Sequence, residues 1–468
     1  MVSNLLLTSS SIIFPLITFP YVTKTLSNDS MGRVFFIDAF SQYFIIFAAL
    51  GIPFYGVREI AKLKDNEEQK SHLVIELVTL QFGLSVAYCL LFLILGLFIP
   101  KVEQSMDLVI IACITIITNS FMIEWFYQGI ENYSYITKRS LIVKFLSVAA
   151  ILLFVRNSED SNIYYAIIAA VTVLSALLNY GNFLKSHYKK SAQSLNFKRH
   201  LRPLFVLFSI NVSVSVYTIL DTIILGLFAT PVDVSYYNVP LKLVKIFWMV
   251  VSGAGTVLIP RIALLFVEND QSAIKALMTK SFSIVFLLTI PFSACCLFFP
   301  SEILIIISGT KYLAAVNALR ILSIVPFIIG VCNVLGTQFL MPIGKERHIL
   351  YATILGLVMS LSFNFLLIPS YKFIGTAIAC VISEVAVCIY ILVSAKKRIS
   401  LKIDLPLILQ IFISTVAAVA AGKLIHQNFA LTTLAVSVIV YLFVFIILQF
   451  ALFKNQFISS ILKFQFRK

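Results

Sequence analysis

KERHILYATILGLVMSLSFNFLLIPSYKFIGTAIACVISEVAVCIYILVSAKKR, residues 345–398, decides how the rest of the chain is read. It contains two apolar runs, 348–368 and 373–395. A hydrocarbon core of about 30 Å takes roughly 20 residues of helix to cross, so each run is long enough. Lys345 and Arg347 precede the first run and Lys396, Lys397 and Arg398 follow the second, while the gap between them carries only Lys372. Basic ends and a nearly uncharged turn describe a helical hairpin that crosses the bilayer twice with its ends in the cytoplasm.

The same unit repeats in both directions. Spans are expected at 4–24, 34–57, 73–99, 107–129, 140–155, 162–184, 203–229, 236–259, 281–307, 316–342, 348–368, 373–395, 405–425 and 430–452, fourteen in all. The 468 residues are 60% hydrophobic and 12% charged, against roughly 25% charged in soluble domains. Ten-residue segments of alternating polarity, the mark of a membrane barrel, are not seen, so the fold class is all-α and polytopic. The first span is too long, and its flank too poor in basic residues, for a cleavable signal peptide.

The net charge of +15 suggests nucleic acid until its placement is read. Of the 36 basic residues, 25 fall in alternate gaps, from Arg58, Lys62, Lys64 and Lys70 through Lys185–Arg202 to Lys454–Lys468, and only eight in the gaps between. This is the positive-inside bias, and it places both termini in the cytoplasm. The charge is a topology signal with a second role at anionic headgroups, and no nucleic-acid partner is expected.

A long inward gap, Lys185 to Arg202, divides the first twelve spans into two sets of six with the same membrane orientation. Parallel repeats of this kind are a known transporter plan. The expected domains are an N-lobe at 1–195, a pseudo-symmetric C-lobe at 196–402, and two extra helices with a cytoplasmic tail at 403–468. Outward gaps are too short to hold a domain with its own core.

The chain has no GxxxxGK[ST] loop and no GxSxG elbow, and neither its five histidines nor its seven cysteines have metal-ligand spacing. No enzyme activity, metal or cofactor is expected, and the cysteines read as small core hydrophobes. The chemistry lies with ionisable groups inside apolar spans, which cost about 2.5–3.5 kcal/mol each at mid-membrane and so face protein or water. Lys242, Lys245 and Trp248 recur at i, i+3 and i+6 and share a helix face. A paired cationic face beside an aromatic suits a phosphate and a sugar. The alternative is that the lysines snorkel to the interface. Asp38, Asp221 and Glu384 are candidates for charge partners of these lysines or for a coupling cation. Glu124 and Lys144 lie near one face and are expected to pair with each other. Trp125, Tyr127, Tyr133 and Tyr135 read as an interfacial belt. Pro15 and Pro20 in the first span and Pro260 after the eighth are candidate hinges, because proline frees a backbone carbonyl.

Several motifs are similar to those of bacterial polysaccharide flippases of the Wzx type. They are Ile13-Phe-Pro-Leu-Ile-Thr-Phe-Pro-Tyr-Val-Thr-Lys-Thr-Leu26, Tyr55-Gly-Val-Arg-Glu-Ile-Ala61, Glu124-Trp-Phe-Tyr-Gln-Gly-Ile-Glu-Asn-Tyr133 with Thr137-Lys-Arg-Ser140, Tyr217-Thr-Ile-Leu-Asp-Thr-Ile-Ile-Leu-Gly226, and Asn364-Phe-Leu-Leu-Ile-Pro369 with Ile374-Gly-Thr-Ala-Ile-Ala379. The resemblance covers nearly the whole chain. It implies a two-lobed member of the multidrug/oligosaccharidyl-lipid/polysaccharide exporter superfamily in the bacterial inner membrane. Such a protein carries undecaprenyl-pyrophosphate-linked oligosaccharide between leaflets by alternating access through a cationic cavity. The candidate cavity set is Lys242, Lys245 and Trp248 with Lys24, Arg33 and Lys144. Many relatives have Arg where this chain has Lys24, which removes a bidentate phosphate grip there. The implied partners are the lipid-linked substrate, the bilayer, an H+ or Na+ gradient, and a polysaccharide polymerase complex. Two other readings compete. A cation-coupled multidrug exporter of the same superfamily favours an acidic cavity, and a membrane polymerase or ligase needs a large outward loop.

Overall fold

A computed structural model describes residues 2–449 apart from 65, 192, 256–257, 400–403 and 429–433. Among the described residues every regular element is helical. Eight helical stretches there are both long and apolar enough to cross a membrane, and further helices cover the other expected spans. The chain is an integral, multi-pass membrane protein.

The helices follow the expected spans closely. The first is α1 (Val2–Thr25), and the second is broken into α2 (Asn28–Ala49) and α3 (Ile52–Lys62). The third is α4 (Glu67–Phe98), followed by a one-turn α5 (Pro100–Glu103). The fourth comprises α6 (Met106–Thr118) and a short α7 (Glu124–Gly129). Next come α8 (Tyr133–Phe154), α9 (Ser161–Ser186), α10 (Lys198–Phe228) and α11 (Pro231–Gly255). The fifth span therefore starts at Tyr133 and is longer than the apolar run alone suggested. Its first turns carry Lys138 and Arg139, which lowered its apparent hydropathy.

The chain continues with α12 (Leu258–Val267), α13 (Gln271–Phe298) and α14 (Pro300–Ser308). After these come α15 (Val316–Leu322), α16 (Val325–Asn333) and a π turn at Val334–Leu340. A 51-residue helix, α17 (Glu346–Lys396), holds two spans joined across Lys372, whose φ of 47° and ψ of −127° break the helix. This is the hairpin read first in the sequence, and its turn falls at the expected place. The last helices are α18 (Leu405–Asn428) and α19 (Leu434–Ile447). The expected fourteenth span, 430–452, lies partly outside the described residues.

Local chemistry sets the ends. Ser27 Oγ accepts from the Ser30 backbone N–H at the start of α2, Asn66 caps α4 through the Gln69 N–H, and Asp270 caps α13 through the Ala273 N–H. Asp160, in the loop before α9, accepts from the backbone N–H groups of Asn157 and Arg156, and these bonds hold its carboxyl below the usual range. Between α2 and α3, Leu50 and Gly51 both adopt left-handed backbone, with φ of 44° and 77°. Gly51 is required twice over, because a Cβ there would lie 2.9 Å from the Phe208 amide nitrogen of α10.

Packing groups the chain into two compact units, Met1–Asn238 and Val239–Lys468. In the first, α1 packs on α8, α2 on α4 and α6, α6 and α8 on α9, and α10 along α2 and α3. In the second, α13 packs on α16 and α18, α17 on α15 and α16, and α18 on α19. Large apolar side chains such as Phe98, Phe145 and Leu366 remain mostly exposed, as lipid-facing positions should.

Candidate functional site

The predicted cationic face lies on one helix. Lys242 and Trp248 of α11 are half-buried and Lys245 is exposed, and Pro240 sits inside the same helix. Each lysine is partnered within the structure. Glu384 is half-buried on α17.

In the first unit the two candidate aspartates differ. Asp221 of α10 is buried and accepts a hydrogen bond from the Tyr237 hydroxyl at 3.0 Å. The neighbouring Thr222 donates to Asn238 at 2.9 Å, so two successive residues of α10 tie it to α11. Asp38 of α2 is half-buried and accepts from Gln42 one turn away at 2.9 Å.

Arg33 lies just over one turn before Asp38 on the same helix and is held by several contacts. Its guanidinium pairs with Asp107 at 2.8 Å and donates to Ser105 Oγ and the Gln104 carbonyl. It borders a cavity of about 250 Å³ shared with Asp29, Lys101, Gln104 and Ser105. Lys101 reaches the Ala229 carbonyl at the end of α10 at 3.0 Å. Lys24 is exposed at the end of α1.

Lys144 and Glu124 are not partners, contrary to expectation. Lys144 donates to Ser10 and Ser11 of α1 at 3.0 and 2.9 Å. Glu124 is ion-paired with Arg139. Arg139 is one turn closer than Lys144 to the start of α8, where α7 docks. Two of the four aromatics of this motif, Trp125 and Tyr127, do not sit in an interfacial belt either. Trp125 and Tyr127 are buried in a core formed by α3, α4, α7 and α9. The Tyr127 hydroxyl donates to the Asn179 carbonyl at 2.7 Å, the Tyr135 hydroxyl to the Leu178 carbonyl at 2.7 Å, and the two rings stack at 4.5 Å. The most specific motif of the chain is thus a clasp that fastens α7, α8 and α9 together.

Pro15 and Pro20 lie within an uninterrupted α1. Pro260 is exposed in the first turn of α12, just after α11 ends at Gly255.

A cluster that sequence reasoning missed centres on Glu76. This side chain is wholly buried on α4 and accepts from three donors. Asn196 N–H lies at 2.7 Å and His200 Nε2 at 2.9 Å, the Arg199 guanidinium closes the set, and His72 Nε2 stands close by at 3.2 Å. The Tyr55 hydroxyl meets His200 Nδ1 at 2.7 Å. A proton on Nε2 satisfies both ring nitrogens, with Tyr55 donating to Nδ1 and Nε2–H donating to Glu76. The cluster borders a cavity of about 430 Å³ lined by Tyr55, Gln69, His72, Gln193, Arg199 and His200 among others. The available signal was an acid a few residues inside an apolar run, but its donors Asn196, Arg199 and His200 lie more than a hundred residues away in sequence.

Residues 1–266 match the family model described as polysaccharide biosynthesis protein, and residues 207–366 match the model described as MatE. An Escherichia coli (strain K12) protein whose name assigns it to O-antigen transport is 24% identical over 377 residues, 80% of this chain and 91% of that protein. A Haloferax volcanii protein named for a low-salt glycan biosynthesis flippase is 26% identical over 167 residues, 36% of this chain and 35% of its own. Among solved structures, the lipid II flippase MurJ in an inward closed conformation superposes with a TM-score of 0.76 at 15% identity, covering 97% of this chain and 99% of that one. An inward-facing multidrug resistance MATE transporter gives 0.61 at 14% identity, over 83% of this chain and 94% of its own. At these identities the structural matches speak to the fold.

Proposed function

The chain belongs to the polysaccharide biosynthesis protein family, and we propose that it is a flippase for undecaprenyl-pyrophosphate-linked oligosaccharide, moving repeat units from the inner to the outer leaflet for cell-surface polysaccharide assembly. The observation that carries this reading is the family match over 1–266 together with a relative named for O-antigen transport that aligns over most of both chains. These relatives are named for transport, which agrees with the reading of the chain as a carrier and not an enzyme.

The chemistry of the chain supports the same substrate. A pyrophosphate-linked sugar is anionic, and Lys242 and Lys245 beside Trp248 offer charge and a stacking surface along the path. Lys24, Arg33 and Lys144 add cationic character, with Arg33 and Lys144 anchored by the contacts described above. The alternation of basic and neutral gaps puts both termini in the cytoplasm of a cell with this protein in its inner membrane. Transport proceeds by alternating access of two six-span lobes, 1–195 and 196–402, with Pro15, Pro20 and Pro260 at the moving helices and the lipid tail left in the bilayer. The chain has no nucleotide loop, so the driving force is the substrate gradient or an H+ or Na+ gradient taken up at Asp38, Asp221 or Glu384. A polysaccharide polymerase is the partner that would consume the product.

The test is genetic and chemical. Deletion should trap lipid-linked repeat units on the inner leaflet and abolish surface polysaccharide, and the gene in trans should restore both. A second reading, a multidrug exporter, is favoured by the MatE match at 207–366. Normal surface polysaccharide in the deletion strain, together with lost efflux of cationic drugs, would select it.

A further inference from the structure

The segment between α9 and α10 is bound to α4 at two heights. Near its start, the Lys189 backbone N–H donates to Ser71 Oγ at 3.0 Å. At its end, the Asn196 N–H, Arg199 and His200 converge on the buried Glu76 carboxylate. Tyr55 of α3 completes the attachment through His200. The first turn of α10 is thereby tied to α3 and α4. A little further along, α10 is held by close backbone approach, with Gly51 against Phe208 and Leu204. At the opposite end Gly32 of α2 lies against the Pro231 carbonyl, where any Cβ would collide. The two ends therefore differ in kind. The far end combines close steric approach with Lys101 on the Ala229 carbonyl, and the near end is a charged network around a single buried carboxylate.

Such a network is a poor way to gain stability alone. Taking the Glu76 carboxylate out of water carries a desolvation cost that its attraction to a half-exposed Arg199 only partly offsets. Its distinguishing property is dependence on one cation: with His200 neutral, pulling Arg199 away leaves the buried Glu76 charge uncompensated. The cavity of about 430 Å³ opens directly against Arg199, His72 and Tyr55, and Arg199 is half-exposed there. The guanidinium is thus reachable from outside while the carboxylate is not.

We propose that the Glu76–Arg199–His200–Tyr55 network is a cytoplasmic latch that clamps the start of α10 to α3 and α4, and that it must open once in each transport cycle. This rests on the flippase reading above, in which α10 is the first helix of the second lobe and has to part from the first lobe at the inner face to admit a headgroup. Glu76 is a positioning residue in this scheme and need not touch substrate.

Two measurements on the full-length protein test it. The first is hydrogen–deuterium exchange in lipid nanodiscs without substrate. Glu76→Gln should speed exchange at 189 and 196–200 by about tenfold or more, while amides 226–229 at the far end of α10 stay unchanged. Unchanged exchange at 196–200 overturns the latch. The second uses Tyr55→Cys with His200→Cys in a background lacking the seven native cysteines. The two rings are 5.4 Å apart, within reach of a short bifunctional thiosulfonate reagent. Tying the pair should stop surface polysaccharide export, and reductant should restore it. Export that continues with the pair tied overturns the requirement for opening. If the untied protein also fails to complement the deletion while wild type does, histidine loss itself is limiting, and Leu63→Cys with Gln193→Cys across the same cavity replaces the pair with the same two outcomes. Failure of wild type to complement refutes the flippase reading instead, and the exchange result still decides whether the latch exists.

Discussion

The Tyr237 hydroxyl donates to the Asp221 carboxylate at 3.0 Å, joining α10 to α11 across the turn between them. This bond fixes a buried acid at a position where the apolar surroundings make any charge costly. Its removal separates two roles. Asp221→Asn keeps the shape and should lower export at least tenfold while protein abundance stays near normal. Tyr237→Phe should cost about 1 kcal/mol of stability and leave most of the export intact. Full export in Asp221→Asn reduces the acid to a packing detail.

Lys242 and Lys245 are proposed to meet the anionic part of the substrate. The double Ala variant should abolish surface polysaccharide with near-normal abundance, and the double Arg variant should retain part of it because the charge remains. Quantified surface polysaccharide against membrane-fraction immunoblots checks this. Normal export in the double Ala variant would refute the cationic path.

Glu124 and Arg139 have a different destiny. Their pair belongs to the clasp of α7, α8 and α9, so damage there should appear as lost protein and not as a specific transport defect. Glu124→Gln should cost about 1–3 kcal/mol by leaving Arg139 under-satisfied. A thermal shift of the purified protein, with abundance falling in step with export, is the expected result. Stable, abundant and inactive protein would return Glu124 to the substrate path.

Topology gives the fourth prediction. Reporter fusions after Lys198 and Lys397 should read cytoplasmic, and fusions at Asp233 and Gly309 periplasmic. Opposite readings at two of these sites would invert the orientation drawn from the basic residues.

Much of the fold was legible because the bilayer imposes one rule, internal satisfaction of every backbone group, and apolar length records it directly. The turn at Lys372 was legible for the same reason, as an interruption in that record, whereas the break at Gly51 falls inside the unbroken expected span 34–57. The side-chain pairings were not legible. Lys144 chose Ser10 and Ser11, and Glu124 chose Arg139, because helix rotation and axial offset decide which groups meet, and neither is written in local sequence. Trp125 and Tyr127 looked like interface residues by composition, but α7 folds inward and buries them. Glu76 was hidden by its setting. One acid in a long apolar run gives no hint of a tyrosine, an arginine and a second histidine brought to it from two other helices.

The double attachment of 187–200 has a consequence for the covalent chain itself. Once Ser71 and Glu76 hold the two sides of this segment, the peptide bonds between Lys190 and Gln193 transmit little that the docked ends do not already transmit. The polypeptide should therefore tolerate being made in two pieces. Fragments 1–190 and 194–468, co-expressed with a tag on only one, should co-purify from membranes, and Glu76→Gln should reduce the yield of the untagged partner several-fold. Absence of any untagged fragment in the parent pair would show that continuity is needed after all. If the fragments do assemble, the seam marks where two separately encoded polypeptides could have been joined into one.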